Sequence, residues 1–296
     1  MGPDIYALTG DYTQGGSIST LQTDMNKHGP LILGGTGQVG RMLARVWPQG
    51  PAPLWQRRAG ATPVGDDDLV WDILSQDSPA VPRPVGAVVV LAGAIHGPDL
   101  SVNTSLAQAG CALAARLGVR ALVASSQAVY GRQSGLVSET DTAHPANAYG
   151  QAKYDMEHAV AGLPDVTCLR IGNVAGADGL FGAMGRGPIR LDRFSDGRAP
   201  QRMMIGPRDL ARVLTSLCCA PAPLPPLLNI AAPGLIGMDA LAQAAGVTWD
   251  WQPAPDTALP ELAMDVGALT DLVPLAPATA SDLVAQARAG GWKVAS

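Results

Sequence analysis

From residue 30 to about residue 173 the chain alternates short apolar runs with stretches of helical periodicity, and no other feature restricts its fold as much. "PLILGG" (30–35) is an apolar run ending in glycines, and "QVGRMLARVW" (38–47) has helical spacing and stops before Pro48. "APLWQRR" (52–58) and "LVWDIL" (69–74) read as second and third strands, and "VGAVVVLAG" (85–93) as a buried one. "NTSLAQAGCALAARLG" (103–118) is a helix with Gly118 placed to end it. A strand at "VRALVASS" (119–126), a helix at "AYGQAKYDMEHAVAGL" (148–163) and a strand at "VTCLRIGN" (166–173) complete the pattern. Strands this apolar, separated by helices, imply an α/β fold: a doubly wound parallel sheet covered on both faces.

In such sheets ligands bind beyond the carboxyl ends of the strands. Those ends carry a glycine loop, Ala92–Gly93, Ser125–Ser126 and Asn173. The loop, "GGTGQVG" (34–40), follows a strand and opens a helix. Gly34, Gly37 and Gly40 allow the tight turn, and Gln38 and Val39 offer first-turn amides to a pyrophosphate. The fold is therefore expected to be Rossmann-type, with a dinucleotide-binding domain over residues 29–173. Residues 174–296 are expected to form a smaller C-terminal substrate-binding region, with 227–234 returning to the first domain. Residues 1–28, polar and without periodicity, read as an extension.

A ribose with a free 2′-hydroxyl calls for an acidic residue where the second strand ends. Here that strand ends in Arg57 and Arg58, 18 residues beyond Gly40. Paired guanidiniums suit a 2′-phosphate, which points to NADP, with NAD the alternative; otherwise both are solvated loop charges. Asp72 could accept a hydrogen bond from an adenine amino group, or serve as a cap or surface residue.

A formal net charge of −5 implies no basic face for nucleic acid. Cys111, Cys168, Cys218 and Cys219 lack C-x-x-C spacing, and His28, His96, His144 and His158 form no helical pair, so no metal is expected. The longest apolar runs are too short to span a bilayer, and the expectation is a cytoplasmic protein.

"AYGQAK" (148–153) sets Tyr149 one helical turn before Lys153. A cation beside a phenol lowers its pKa from ~10, and a shift of ~3 units would take roughly 4 kcal/mol of differential stabilisation. Such a pair moves protons near neutrality; alternatively it is a half-buried Tyr beside a solvated Lys.

With the glycine loop, "VASSQAVYG" (123–131) and "YGQAK" taken together, the chain resembles the extended short-chain dehydrogenase/reductase family, in its NAD(P)-dependent sugar-nucleotide epimerase/dehydratase branch, over about residues 30–235. The resemblance implies a catalytic triad of Ser126, Tyr149 and Lys153. Tyr149 would exchange a proton with the substrate hydroxyl, Ser126 would bond the same oxygen, and Lys153 would hold the nicotinamide ribose. It implies cofactor contacts at Ala92, Gly93 and Asn103, the last supporting the active-site helix. From "LRIGNVAG" (169–176) and "FSDGRAPQRMMIGPRDLARVL" (194–214) it implies substrate contacts at Asn173 and Arg202, Arg202 on a diphosphate.

Departures narrow the chemistry. Gln127 and Ala128 stand where 4,6-dehydrating relatives carry an Asp-Glu pair, and no cysteine stands beside Ser126 as in 3,5-epimerising reductases. A 4-epimerase-like or ketoreductase-like reaction on a nucleotide sugar remains. The alternatives are reduction of a non-nucleotide ketone, or a non-catalytic NADP-binding sensor. The resemblance also implies a homodimer built from helices 103–118 and 148–163, with Leu106, Cys111, Leu113, Met156 and Val160 facing either core or partner.

Overall fold

The computed structural model of the protein describes residues 28–75 and 77–294, so all but His28 of the expected extension lies outside the described residues. The first half of the fold runs β1 (Leu31–Leu33), α1 (Gln38–Val46), β2 (Leu54–Arg57), β3 (Leu69–Val70), β4 (Ala87–Val90), α2 (Val102–Leu117) and β5 (Arg120–Ser126). A single 3-10 turn, Gln127–Tyr130, then leads to β6 (Leu136–Val137), α3 (Ala148–Val160), β7 (Val166–Ile171), β8 (Asn173–Val174) and α4 (Gly179–Met184). The remainder is β9 (Ile189–Arg193), β10 (Gln201–Ile205), α5 (Pro207–Cys218), β11 (Leu227–Ile230), β12 (Leu235–Gly237) and α6 (Met238–Ala245). It closes with β13 (Trp249–Pro253), β14 (Glu261–Met264), α7 (Gly267–Leu272) and α8 (Ala280–Ala289).

Seven parallel strands form the main sheet in the order β11-β7-β5-β4-β1-β2-β3. The winding reverses between β1 and β4, so the crevice at their carboxyl ends is the switch point where a doubly wound sheet binds ligands. Side-chain alternation along the strands divides the core in two. Leu31, Leu33, Val88, Val90, Val123 and Cys168 pack under α2 and α3 with Cys111, Leu113, Met156 and Val160. Ile32, Val89, Leu122 and Leu169 pack on the other face with Leu210, Leu214 and Leu217 of α5. Cys111, Leu113, Met156 and Val160 are therefore core residues, and only Leu106 is partly exposed.

The third strand is shorter than its apolar run. Trp71 still donates its amide to the Arg57 carbonyl at 2.9 Å, but its own carbonyl is taken by the Gln56 side chain at 2.5 Å. The ladder ends there, and Asp72 falls beyond it.

A five-stranded sheet joins β10, β12 and β14 to β6 and β8 from earlier in the chain, and residues 174–294 add a two-stranded β13–β9 sheet and an apolar cluster around Phe181, Met184, Leu241 and Leu283. Helix α8 also returns to the nucleotide side of the molecule. Gln286 Oε1 accepts from the Arg208 and Asp209 amides at 3.0 and 3.2 Å, capping α5, whose own N-cap residue, Gly206, has no side chain to do so. Arg45 of α1 donates to the Gly290 carbonyl at 3.0 Å, a bond spanning 245 residues. Trp292 Nε1 donates to the Phe181 carbonyl at 2.8 Å.

Candidate functional site

A cavity of about 290 Å³ opens at the switch point. One wall is the glycine loop, with Gly34, Gly37, Gln38, Val39 and Gly40; another is Leu91, Gly93, Ala94 and Ile95. Ser126, Tyr149, Lys153, Asn173 and Asp178 line the rest.

The loop is built for close backbone approach. Gly34 has φ +94°, and a Cβ there would meet the Ala92 amide nitrogen at 2.6 Å. Gly37 caps α1 without any side-chain bond, leaving first-turn amides for an anion. Across the cavity, a Cβ on Gly93 would sit 2.6 Å from Asn103 Oδ1 and 3.2 Å from Lys153 Nζ. Gly93→Ala is accordingly expected to push Lys153 aside and weaken NADH binding roughly tenfold, about 1.4 kcal/mol. A fluorescence titration with NADH, alongside an unchanged circular dichroism spectrum, checks this.

Asn103 is fully buried and braces that wall. Its side chain accepts from the Ala94 amide at 3.1 Å and donates to the Ala94 and Leu100 carbonyls at 3.0 and 2.9 Å. Ala92 acts through its backbone, donating to the Leu33 carbonyl at 2.9 Å, and lies behind the cavity surface.

Tyr149 stands in the first turn of α3, which Asn147 caps by accepting the Gly150 amide at 2.8 Å. Burial raises its pKa, and the hydrogen-bonded Ser126 hydroxyl works in the opposite direction. This reverses the lowering expected from Lys153. The ammonium is committed elsewhere, donating to the Ala124 carbonyl at 2.9 Å, with Met156 Sδ at 3.8 Å. Burial pulls Lys153 itself down to about 8, against the raising influence of Cys168 and Glu157.

Gln127, which stands where 4,6-dehydrating relatives carry a carboxylate, has a different part. Its carboxamide donates to Asn173 Oδ1, and Asn173 Nδ2 donates to Asp178 Oδ2 at 3.0 Å. Asp178 also accepts the Phe181 amide at 2.9 Å, capping α4, and burial raises its pKa. The sequence signal for Asp178 is a carboxylate placed directly before a helix.

Besides Ala92 and Asn103, four expected contacts fall outside the cavity wall: Arg202, Asp72, Arg57 and Arg58. Arg202 is held by backbone carbonyls, with Nη1 on Gln201 at 2.7 Å and Nη2 on Leu259 at 2.9 Å, because β10 pairs with β14 and draws the guanidinium to the preceding loop. Asp72 lies past the end of β3. Arg57 is paired with Asp68 at 3.1 Å and also donates to the Ala61 carbonyl at 3.2 Å, so its charge is largely neutralised; Arg58 beside it is exposed. Among the described residues no three His, Cys, Asp or Glu side chains gather as a metal site, and no helix is long and apolar enough to cross a membrane.

A sequence model of the NAD dependent epimerase/dehydratase family matches residues 30–206. No curated protein matches the chain. Among solved structures, MoeE5 in complex with UDP-glucuronic acid and NAD superposes with a TM-score of 0.70 at 20% identity, covering 88% of this chain and 98% of that one. The UDP-glucose 4-epimerase of Brucella ovis in complex with NAD gives 0.69 at 18% identity, covering 90% and 100%. The UDP-glucuronic acid 4-epimerase of Bacillus cereus in complex with NAD gives 0.67 at 20%, covering 88% and 96%. At these identities the likeness is one of fold.

Proposed function

Because the chain belongs to the NAD dependent epimerase/dehydratase family, we propose that it moves a hydride at a secondary alcohol or ketone carbon of a nucleotide sugar, as a 4-epimerase or a ketoreductase. The observation that carries this reading is the meeting of Ser126, Tyr149 and Lys153 with the glycine loop in one cavity.

The donors present fit a dinucleotide: bare loop amides for the pyrophosphate, and Lys153 beside Gly93 for the nicotinamide ribose. Bound NAD or NADP would supply the hydride acceptor or donor. The rest is work for side chains. Hydride leaves a carbinol carbon only if the O–H proton also departs, so a proton carrier must touch that oxygen. Tyr149 is placed for this, with Ser126 bonding the same oxygen. A phenol kept protonated by burial is an acid, ready to donate to a carbonyl oxygen as it gains charge. In the oxidising direction the Ser126 hydroxyl bonded to Tyr149 is the group that favours the phenolate. Gln127 has no acid–base function, which fits neither 4,6-dehydration nor a second proton transfer.

Co-purifying nucleotide, identified by mass spectrometry and absorbance after gentle denaturation, tests the reading. Tightly held NAD supports a self-regenerating epimerase, an empty site that titrates with NADPH supports a reductase, and no binding of either removes the proposal. Arg58, the guanidinium left free after Arg57 pairs with Asp68, is the proposed 2′-phosphate ligand. Arg58→Ala is expected to weaken NADPH about five- to tenfold, roughly 1–1.4 kcal/mol, and NADH less than about twofold. Equal losses would assign the site to NAD, the cofactor in the three superposed structures.

A second reading, reduction of a ketone without a diphosphate, is favoured by Arg202 being bound to carbonyls and by the Asp178 carboxylate in the cavity wall. UDP separates the two: a rise in melting temperature with UDP supports the nucleotide sugar, and none supports the simple ketone. A reducing, cytoplasmic location fits four free cysteines. A homodimer through the outer faces of α2 and α3 is also proposed, and light scattering that shows a dilute monomer would refute it.

A further inference from the structure

Three consecutive residues of β5 hold three successive turns of α3. The Ala124 carbonyl accepts from Lys153 Nζ at 2.9 Å, Ser125 Oγ donates to Glu157 Oε1 at 2.5 Å, and the Ser126 hydroxyl bonds Tyr149. Glu157, 5% exposed, is gripped by Arg170 of β7, 3% exposed: Nε lies 3.1 and 3.3 Å from its two oxygens and Nη2 lies 2.8 Å from Oε2. Arg170 Nη1 donates to the Tyr130 hydroxyl at 3.1 Å, and that hydroxyl donates to Asn229 Oδ1 at 2.7 Å. The network therefore joins the elements that carry Ser126, Tyr149 and Lys153, yet neither Glu157 nor Arg170 lines the cavity. A buried ion pair is weak evidence for stability, so its place here asks for another explanation.

We propose that Glu157 is a positioning residue for hydride transfer: clamped by Arg170 and Ser125, it fixes α3 on β5 in the register that sets Tyr149 and Lys153 against Ser126, and it presents a carboxylate to the buried Lys153 ammonium. The inference rests on the reading of Lys153 as the ribose ligand. Acting on the ammonium are Glu157 and the Met156 sulfur from α3, the Ala124 carbonyl from β5, and Cys168 from β7, with Arg170 and Cys111 of α2 acting on Cys168 in turn. Cys168 is pushed up to about 12 by burial and stays a neutral thiol, so Glu157 is the anion among them. Removing its charge lets Lys153 lose its proton at lower pH.

The test follows NADH binding against pH, with ADP, which does not reach the ribose of the nicotinamide, as control. Wild-type affinity is expected to fall as pH rises through about 8. In Glu157→Gln the fall should begin about one unit lower, leaving NADH roughly fivefold weaker at pH 8 with ADP unchanged. Glu157→Asp should restore the wild-type profile. The double variant Glu157→Leu with Arg170→Met removes both members of the hydrogen-bonded ion pair together, so it should recover melting temperature while keeping the displaced profile. A double variant with the wild-type profile would overturn the inference and make the network purely structural. If Glu157→Gln loses ADP binding or fails to fold, the double variant decides on the same criterion. A wild-type protein whose NADH affinity does not fall in alkali would instead refute the role given to Lys153.

Discussion

Tyr149→Phe is expected to cut turnover by about 10²–10⁴-fold while leaving NADH affinity within about twofold. The size follows from what the substitution removes. The ring stays in the first turn of α3, where Asn147 still caps the helix, and the glycine loop is untouched. Only the hydroxyl goes, and with it the proposed proton route to the substrate oxygen. Ser126 cannot replace it well: an aliphatic hydroxyl is a far weaker acid than a phenol, and Ser126 Oγ already accepts from the Ala128 amide at 3.2 Å. Residual turnover would have to use water. Steady-state assays with UDP-glucose and UDP-glucuronic acid, beside fluorescence titration of NADH, would show the split. Undiminished turnover would strike Tyr149 from the mechanism, whereas loss of NADH binding as well would show that the variant disturbs the site as a whole.

Arg170→Met is expected to lower stability by about 3–5 kcal/mol, because it removes the guanidinium hydrogen-bonded to both oxygens of the buried Glu157 carboxylate. Ser125 alone would then bond that carboxylate, and Tyr130 would lose both a hydrogen-bond donor and the guanidinium 4.8 Å over its ring. In a protein of this size the loss corresponds to a drop in melting temperature on the order of 10 °C. Adding Glu157→Leu should return most of it, since a buried pair replaced by apolar groups of similar volume is often neutral. Thermal denaturation of the two variants checks both halves. A small effect in the single variant would mean that water reaches Glu157, or that the carboxylate takes up a proton, and would make the pair dispensable.

Local patterns were readable in the sequence, and long-range partners were not. The strand–helix alternation and the glycine loop predicted the sheet because each is contained in a short window with its own periodicity. Ser126, Tyr149 and Lys153 were singled out by the Tyr–Lys spacing and by the family resemblance, and all three line the one cavity. The residues whose surroundings spacing did not foretell are those that depend on a distant partner. Arg57 is neutralised by Asp68 from a following loop, and Arg202 is captured by carbonyls 57 and 58 residues further on. The direction of the Tyr149 shift depended on burial, which spacing does not report. A clue to the ion pair was nonetheless present: Arg170 interrupts the apolar strand "VTCLRI", and a charge in a buried strand requires a partner. Glu157, one turn beyond Lys153 on the same helix, was the natural candidate.

The contact between Arg45 and Gly290 has a consequence for how the protein comes into being. Helix α1, which opens from the glycine loop, is among the earliest of the described elements to leave the ribosome. The carbonyl that Arg45 binds arrives 245 residues later, together with the Gln286 side chain that caps α5. At translation rates of about 5–20 residues per second, that interval is on the order of tens of seconds. A nascent chain could pair β1 with β2 long before, yet its grip on nucleotide would lack this buttress until the closing helix emerged. Ligand-dependent protection of stalled nascent chains should therefore appear late and abruptly.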